Sequence, residues 1–144
     1  MSGRIADELA IRTLQQAYFH SVDAKDWGLF ASLLTEQAMF DFSAAVDPTL
    51  APVRGRQTIV DFVRKSMSAI TSAHHGFLRK LEFSGKGTAR ALWAMEDRLW
   101  HGEPGSLTKY MHGHGHYHIG YSLVDSEWKI CDWILTRVHV ELFD

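Results

Sequence analysis

From Met111 to Tyr121 the chain reads Met-His-Gly-His-Gly-His-Tyr-His-Ile-Gly-Tyr, with a histidine at every second position from His112 to His118. A period of two is the mark of an extended strand, whose successive side chains point to opposite faces. The segment therefore reads as a strand with His112, His114, His116 and His118 on one face and Tyr117, Ile119 and Tyr121 on the other. Histidine titrates nearer neutral pH than other side chains and is the commonest metal ligand, so the histidine row reads as a chemical face for acid/base work or metal binding. His112 and His114 stand near the strand's start, where facing water is an equal reading. His116 and His118 lie further inside and are expected to line a pocket.

Strand-like runs cover residues 76–83, 87–100, 107–124 and 128–142. The turn chemistries Ser84-Gly85-Lys86-Gly87, His101-Gly102-Glu103-Pro104-Gly105 and Val124-Asp125-Ser126-Glu127 separate them. The N-terminal half reads differently. Ile11, Leu14, Tyr18 and Val22 recur at helical spacing over residues 5–23, and Asp26 is a good N-cap for a short helix over 27–34. A weak alternation over 38–42 reads as a strand, and the proline-containing stretch 47–53 as a loop. A third helix is expected over about 55–68, with Ile59, Phe62 or Val63, Met67 and Ile70 as its apolar side. Helices followed by an antiparallel meander mean an α+β fold. Long strands joined by short turns curl, and three helices over one face would enclose a pocket.

Composition narrows the function. At 144 residues the chain is expected to be one domain, 1–144. A net charge of −2 with mixed signs offers no basic stripe for nucleic acid. No run approaches the about 20 apolar residues of a membrane span, and the N-terminus lacks a secretion-type apolar segment. The one cysteine, Cys131, reads as a core thiol rather than a nucleophile or half of an internal bridge, and a cytoplasmic location is expected. Five tryptophans favour a thick core or a lined cavity.

Asp97 shares a strand face with Ala89, Ala91, Trp93, Met95 and Leu99, an apolar setting in which a carboxylate needs a cation or donor; histidine is the expected partner. Glu96 falls on the other face with Arg90 and Arg98. His74 and His75 precede the first long run, and two adjacent rings place one on each face whatever the register. On the first helix Tyr18 can offer a phenol. Asp23 stands at the helix C-terminus, where the dipole disfavours a carboxylate. Trp27, Phe42, Trp93, Met95, His116 and His118 are the expected substrate-contacting residues.

The segments Tyr18-Phe-His-Ser-Val-Asp-Ala-Lys-Asp-Trp27, His74-His75, Ala91-Leu-Trp-Ala-Met-Glu-Asp97, Gly115-His-Tyr-His-Ile-Gly-Tyr121 and Leu135-Thr-Arg137 together resemble the SnoaL-like branch of the nuclear-transport-factor-2-like superfamily. That resemblance implies a cone-shaped α+β barrel of curved antiparallel sheet and three N-terminal helices around a pocket. Within the branch the chain is similar to scytalone dehydratase and bile-acid 7α-dehydratase in Asp23 and in His74 or His75. It is similar to the bile-acid enzyme also in Tyr18 and Asp97, with His74 favoured by spacing. Scytalone dehydratase departs at the positions of Val22, Phe42, Asp97, His116 and His118, which argues against scytalone as substrate.

The expected activity is a cofactor-independent dehydratase for a small apolar cyclic hydroxy-carbonyl compound, with Tyr18, Asp23, His74, His75 and Asp97 as the catalytic set. No cofactor, nucleic acid or membrane is expected. The alternatives are an isomerase of ketosteroid-isomerase type, a polyketide-cyclase-like enzyme, a non-catalytic binding module, or a metal site on His116 and His118. Epoxide hydrolysis is disfavoured because no arginine stands out as placed for it. A homodimer is expected through the face bearing Tyr117, Ile119 and Tyr121, with Val138 and Val140.

Overall fold

The structure is a computed structural model that describes residues 3–103 and 106–143. Its order is α1 (Gly3–Asp23), α2 (Trp27–Ser32), β1 (Leu34–Asp41), β2 (Val53–Arg54), α3 (Arg56–Ser66), β3 (Ile70–Ser84), β4 (Thr88–Glu103), β5 (Ser106–Val124) and β6 (Glu127–Phe143). This is the expected α+β architecture: helices first, then a four-strand antiparallel meander. The sheet runs β2-β1-β6-β5-β4-β3. One pairing is parallel, β1 against β6, which the sequence pattern did not disclose. Among the described residues no helix is long and apolar enough to cross a membrane.

Local chemistry accounts for most boundaries. Along α1 the buried residues Ile11, Leu14, Gln15, Tyr18, Phe19 and Val22 form a stripe at helical spacing. Lys25, at φ 57°, turns the chain out of the helix, and the Asp26 carboxylate then caps α2 by accepting from the Leu29 N–H. Asp125 and Ser126 both hold positive φ, the geometry of a two-residue hairpin turn that matches strand twist. The Pro104-Gly105 part of the expected longer turn lies outside the described residues. β3 opens at Ile70, six residues before its expected start, so Ile70 leaves the third helix and His74 and His75 become strand residues.

Four strands of 15–19 residues twist enough to curl around the helices. Helix α1 lies against β3 and β6, and α3 against β1 and β2. At the α1–β3 contact a Cβ on Gly76 would come within 2.6 Å of the Phe19 ring, so only glycine admits this approach.

The two faces of β5 have the opposite roles from those expected. Tyr117, Ile119 and Tyr121 are each 1 % exposed in the core, so they form no dimer surface, while His112, His114, His116 and His118 project from the outer face. Register follows the larger burial of apolar area, and imidazoles retain hydration more cheaply outside. Further along the inner face Trp93 donates from Nε1 to the Tyr121 hydroxyl (3.0 Å), which donates to Gln15 Oε1 (2.9 Å). Trp93 is thus a structural residue.

Tyr121→Phe leaves the buried Trp93 N–H and the Gln15 carbonyl without their partner and is expected to cost about 1–3 kcal/mol; urea denaturation measures it.

Candidate functional site

Asp97 is 3 % exposed on the inner face of β4, directly opposite His74 on β3 and Gly113 on β5. Its principal partner is an arginine. Arg137 donates from Nη1 to Asp97 Oδ1 at 2.7 Å and from Nη2 to Oδ2 at 3.0 Å, a bidentate pair with both groups largely buried. The Met95 sulfur lies 3.7 Å from the same Nη1. Two local devices make room for this pair. A Cβ on Gly113 would stand 2.4 Å from Arg137 Nη1 and 2.6 Å from Asp97 Oδ1, so the absent side chain is the space the guanidinium fills. A β-bulge lies where His114 pairs with His139 and Gly115 with Arg137, leaving Val138 as the extra residue. Arg137 thereby faces inward and His139 outward, although both are odd-numbered positions.

His74 is the expected histidine of the pair, because β3 turns it inward and leaves His75 exposed on the outer face. Its Nδ1 lies 2.6 Å from Asp23 Oδ1, and its backbone N–H donates to Asp23 Oδ2 at 2.8 Å. The Ser72 hydroxyl donates to Asp23 Oδ1 at 2.8 Å. These contacts offset the unfavourable place of Asp23 at the end of α1. Half-burial alone would raise the Asp23 carboxyl, but the hydrogen bonds from the His74 side chain and backbone, with that from Ser72, hold it below its ordinary value. The Asp23 contact turns Nδ1 toward the helix end and leaves Nε2 facing the cavity, 4.0 Å from Asp97 Oδ2. The Phe19 ring stacks on the imidazole at 12°.

The cavity has a volume of about 230 Å³. Polar groups Tyr18, His74, Asp97, Tyr117 and Arg137 share it with Val22, Phe42, Phe62, Leu99, Trp133 and Leu135. Tyr18 packs edge-on to Tyr117, with ring centroids 5.9 Å apart. Burial, then the charge of Asp97, push the Tyr18 phenol well above its ordinary value, so it stays a hydrogen-bond donor through the neutral range. Burial does the same for Tyr117. A neutral donor, a carboxylate-backed imidazole and a fixed guanidinium around one apolar space can remove a proton from bound carbon and stabilise the negative charge that develops.

Of the sequence-derived set, Tyr18, His74, Asp97 and Phe42 line the cavity, Asp23 stands behind His74, and Met95 lies against Arg137. His75, His116 and His118 point away, and His118 bonds Thr136 (3.0 Å) on the outer face. Trp27 packs edge-on to Phe30, and Trp93 belongs to the Tyr121 chain, so neither lines the cavity. The reading that no arginine is well placed is overturned by Arg137, and Tyr117 and Trp133 were also missed. A signal existed: on β6 Trp133, Leu135 and Arg137 share the inner face, so a charge continues an apolar alternation. A second bulge at Cys131, between the Ile130 and Asp132 pairings, obscured that phase.

The model of the SnoaL-like domain family matches residues 3–134. The fold is similar to that of Kfla4162 from Kribbella flavida (TM-score 0.86, 17% identity, 96% of this chain and 95% of that one). It is also similar to a scytalone-dehydratase-like protein from Novosphingobium aromaticivorans (0.83, 14%, 98% and 90%). A third similar structure is hexachlorocyclohexane dehydrochlorinase LinA-type3 from Novosphingobium barchaimii (0.79, 20%, 97% and 92%).

Because Asp23 is depressed in the folded state, its stabilising contribution is complete above its unfolded value near 3.8 and is lost as pH falls through the lower folded value. Asp23→Asn is therefore expected to lower stability at neutral pH by about 1–3 kcal/mol, with the gap from wild type closing below about pH 4. Chemical denaturation across pH checks this. Gly113→Ala drives a methyl group into the Asp97–Arg137 pair and is expected to lower the thermal midpoint, read by calorimetry.

Proposed function

The chain belongs to the SnoaL-like domain family, and from that premise we propose that it is a cofactor-independent lyase that removes water from a small apolar, cyclic hydroxy-carbonyl compound. The observation that carries this reading is His74, bound through Nδ1 to Asp23 and presenting Nε2 to an apolar cavity beside the Asp97–Arg137 pair. Two of the similar structures bear the names of elimination enzymes, one for loss of water and one for loss of hydrogen chloride. Both reactions take a proton from carbon while a leaving group departs.

In this scheme His74 Nε2 abstracts the proton next to the carbonyl, and the C–H electron pair moves into an enolate. The Tyr18 hydroxyl donates to the enolate oxygen. Asp23 stabilises the imidazolium that forms, as a carboxylate behind a histidine does in other acid/base sites. The enolate then collapses to a conjugated carbonyl as the C–O bond breaks, and the imidazolium returns its proton to the departing hydroxide, giving water and restoring neutral His74. Arg137 holds the Asp97 carboxylate in place through two hydrogen bonds and fixes the polar end of the cavity beside His74. Every proton is held by a side chain of this chain, so the scheme needs no cofactor. The volume of about 230 Å³ and the walls of Phe42, Phe62, Leu99, Trp133 and Leu135 suit a substrate of one or two rings.

An isomerase would use the same base and donor but return the proton to another carbon. Exchange of substrate hydrogen for solvent deuterium without loss of oxygen distinguishes it. The test is a screen of cyclic hydroxy-carbonyl compounds for the absorbance of the conjugated product, followed by variants. His74→Ala is expected to lower kcat about 10²-fold or more, Tyr18→Phe to lower kcat with little change in KM, and His75→Ala to leave turnover unchanged. Undiminished turnover in His74→Ala overturns the assignment.

A further inference from the structure

Turned away from the cavity, the outer face of the sheet carries a second group of chemically capable side chains. We propose that Glu96 of β4, with His112 and His114 of β5, forms a binding site for one divalent transition-metal ion of the zinc class. Glu96 stands directly opposite His114 in the β4–β5 register, and His112 lies two residues along on the same face. The pleat thus gathers three ligands without help from a loop. His112 Nε2 lies 3.2 Å from Glu96 Oε1, and His114 Nε2 3.5 Å from Glu96 Oε2. One ligand atom from each of the three residues lies within 4.8 Å of the other two.

A tetrahedral ion bonded at about 2.0–2.1 Å holds its nitrogen and oxygen ligands about 3.3–3.4 Å apart. The two histidine–carboxylate distances, 3.2 Å to Oε1 and 3.5 Å to Oε2, lie to either side of that length, so a small side-chain adjustment brings both imidazoles and one carboxylate oxygen around an ion. Two imidazoles and a carboxylate suit zinc and its neighbours better than calcium or magnesium, which prefer all-oxygen sites. His112 Nε2 supplies an independent observation. It is shielded from solvent and close to Glu96, yet it makes no aligned hydrogen bond. An ion seated between His112 and Glu96 gives that buried nitrogen a partner. The side chains of His112, Glu96 and His114 are 21%, 32% and 47% exposed, so a fourth position remains open to water.

The surroundings identify the competitor. Arg98 Nε lies 3.4 Å from Glu96 Oε1 and competes with a cation for that carboxylate. His75 from β3 stands opposite Glu96, and His139 from β6 stands opposite His114 with its Nε2 3.3 Å from Glu141 Oε1. Glu96 and Asp97 are sequence neighbours on opposite faces, so the ion and the cavity are separated by the thickness of the sheet.

The test is calorimetric titration of zinc chloride into the untagged full chain at neutral pH, with the thermal midpoint as a second readout. About one ion per chain is expected, with the midpoint rising on loading. Glu96→Gln and His114→Ala, made separately, are each expected to weaken binding about tenfold or more, and circular dichroism confirms that they remain folded. Arg98→Ala is expected to tighten it. His118→Ala removes a histidine of the same face outside the cluster and is expected to change nothing. Absence of saturable binding, or equal binding by the wild type and the Glu96 and His114 variants, overturns the proposal.

Discussion

A carboxylate with almost no access to water has to be neutralised where it stands, and Asp97 sets that requirement for the sheet around it. Removing its partner would leave an uncompensated buried charge, a defect that costs far more than the pair contributes relative to an apolar substitute. The surroundings answer in detail. Gly113 gives up its side chain so that the guanidinium fits, and the bulge at Val138 turns Arg137 inward. Met95 packs beside the pair, and His74 sits across the strand register from it. The aromatic walls then exclude the water that would weaken the pair.

Much of this was legible in the sequence, for reasons that can be located. Fold class followed from the change of hydrophobic period near the middle of the chain, and the turns at Asp125-Ser126 and Gly85 from their local chemistry. Tyr18, Asp23, His74 and Asp97 were found because polar residues interrupt apolar patterns or because two adjacent histidines must divide between two faces. The family resemblance sharpened the choice of His74 over His75.

The failures have one common cause. Alternation says that two faces differ but not which is inside, and the histidine row of β5 drew attention to the face that meets solvent. The glycines interleaved with those histidines were the better clue, since Gly113 marks where something else must fit. Arg137 was hidden by the bulges of β6, each of which resets the phase by one residue. A pairing register is a property of two strands, and one strand's sequence carries only half of it.

The three hydrogen bonds that hold Asp23 join the last residue of α1 to Ser72 and His74 on β3. The imidazole and the carboxylate that orients it therefore belong to different pieces of the chain, more than 50 residues apart. Any fluctuation that frays the end of α1 frees the imidazole to rotate. Local opening there and loss of the imidazole's fixed orientation are one event, so the lifetime of this cavity geometry equals the lifetime of that helix end against the sheet.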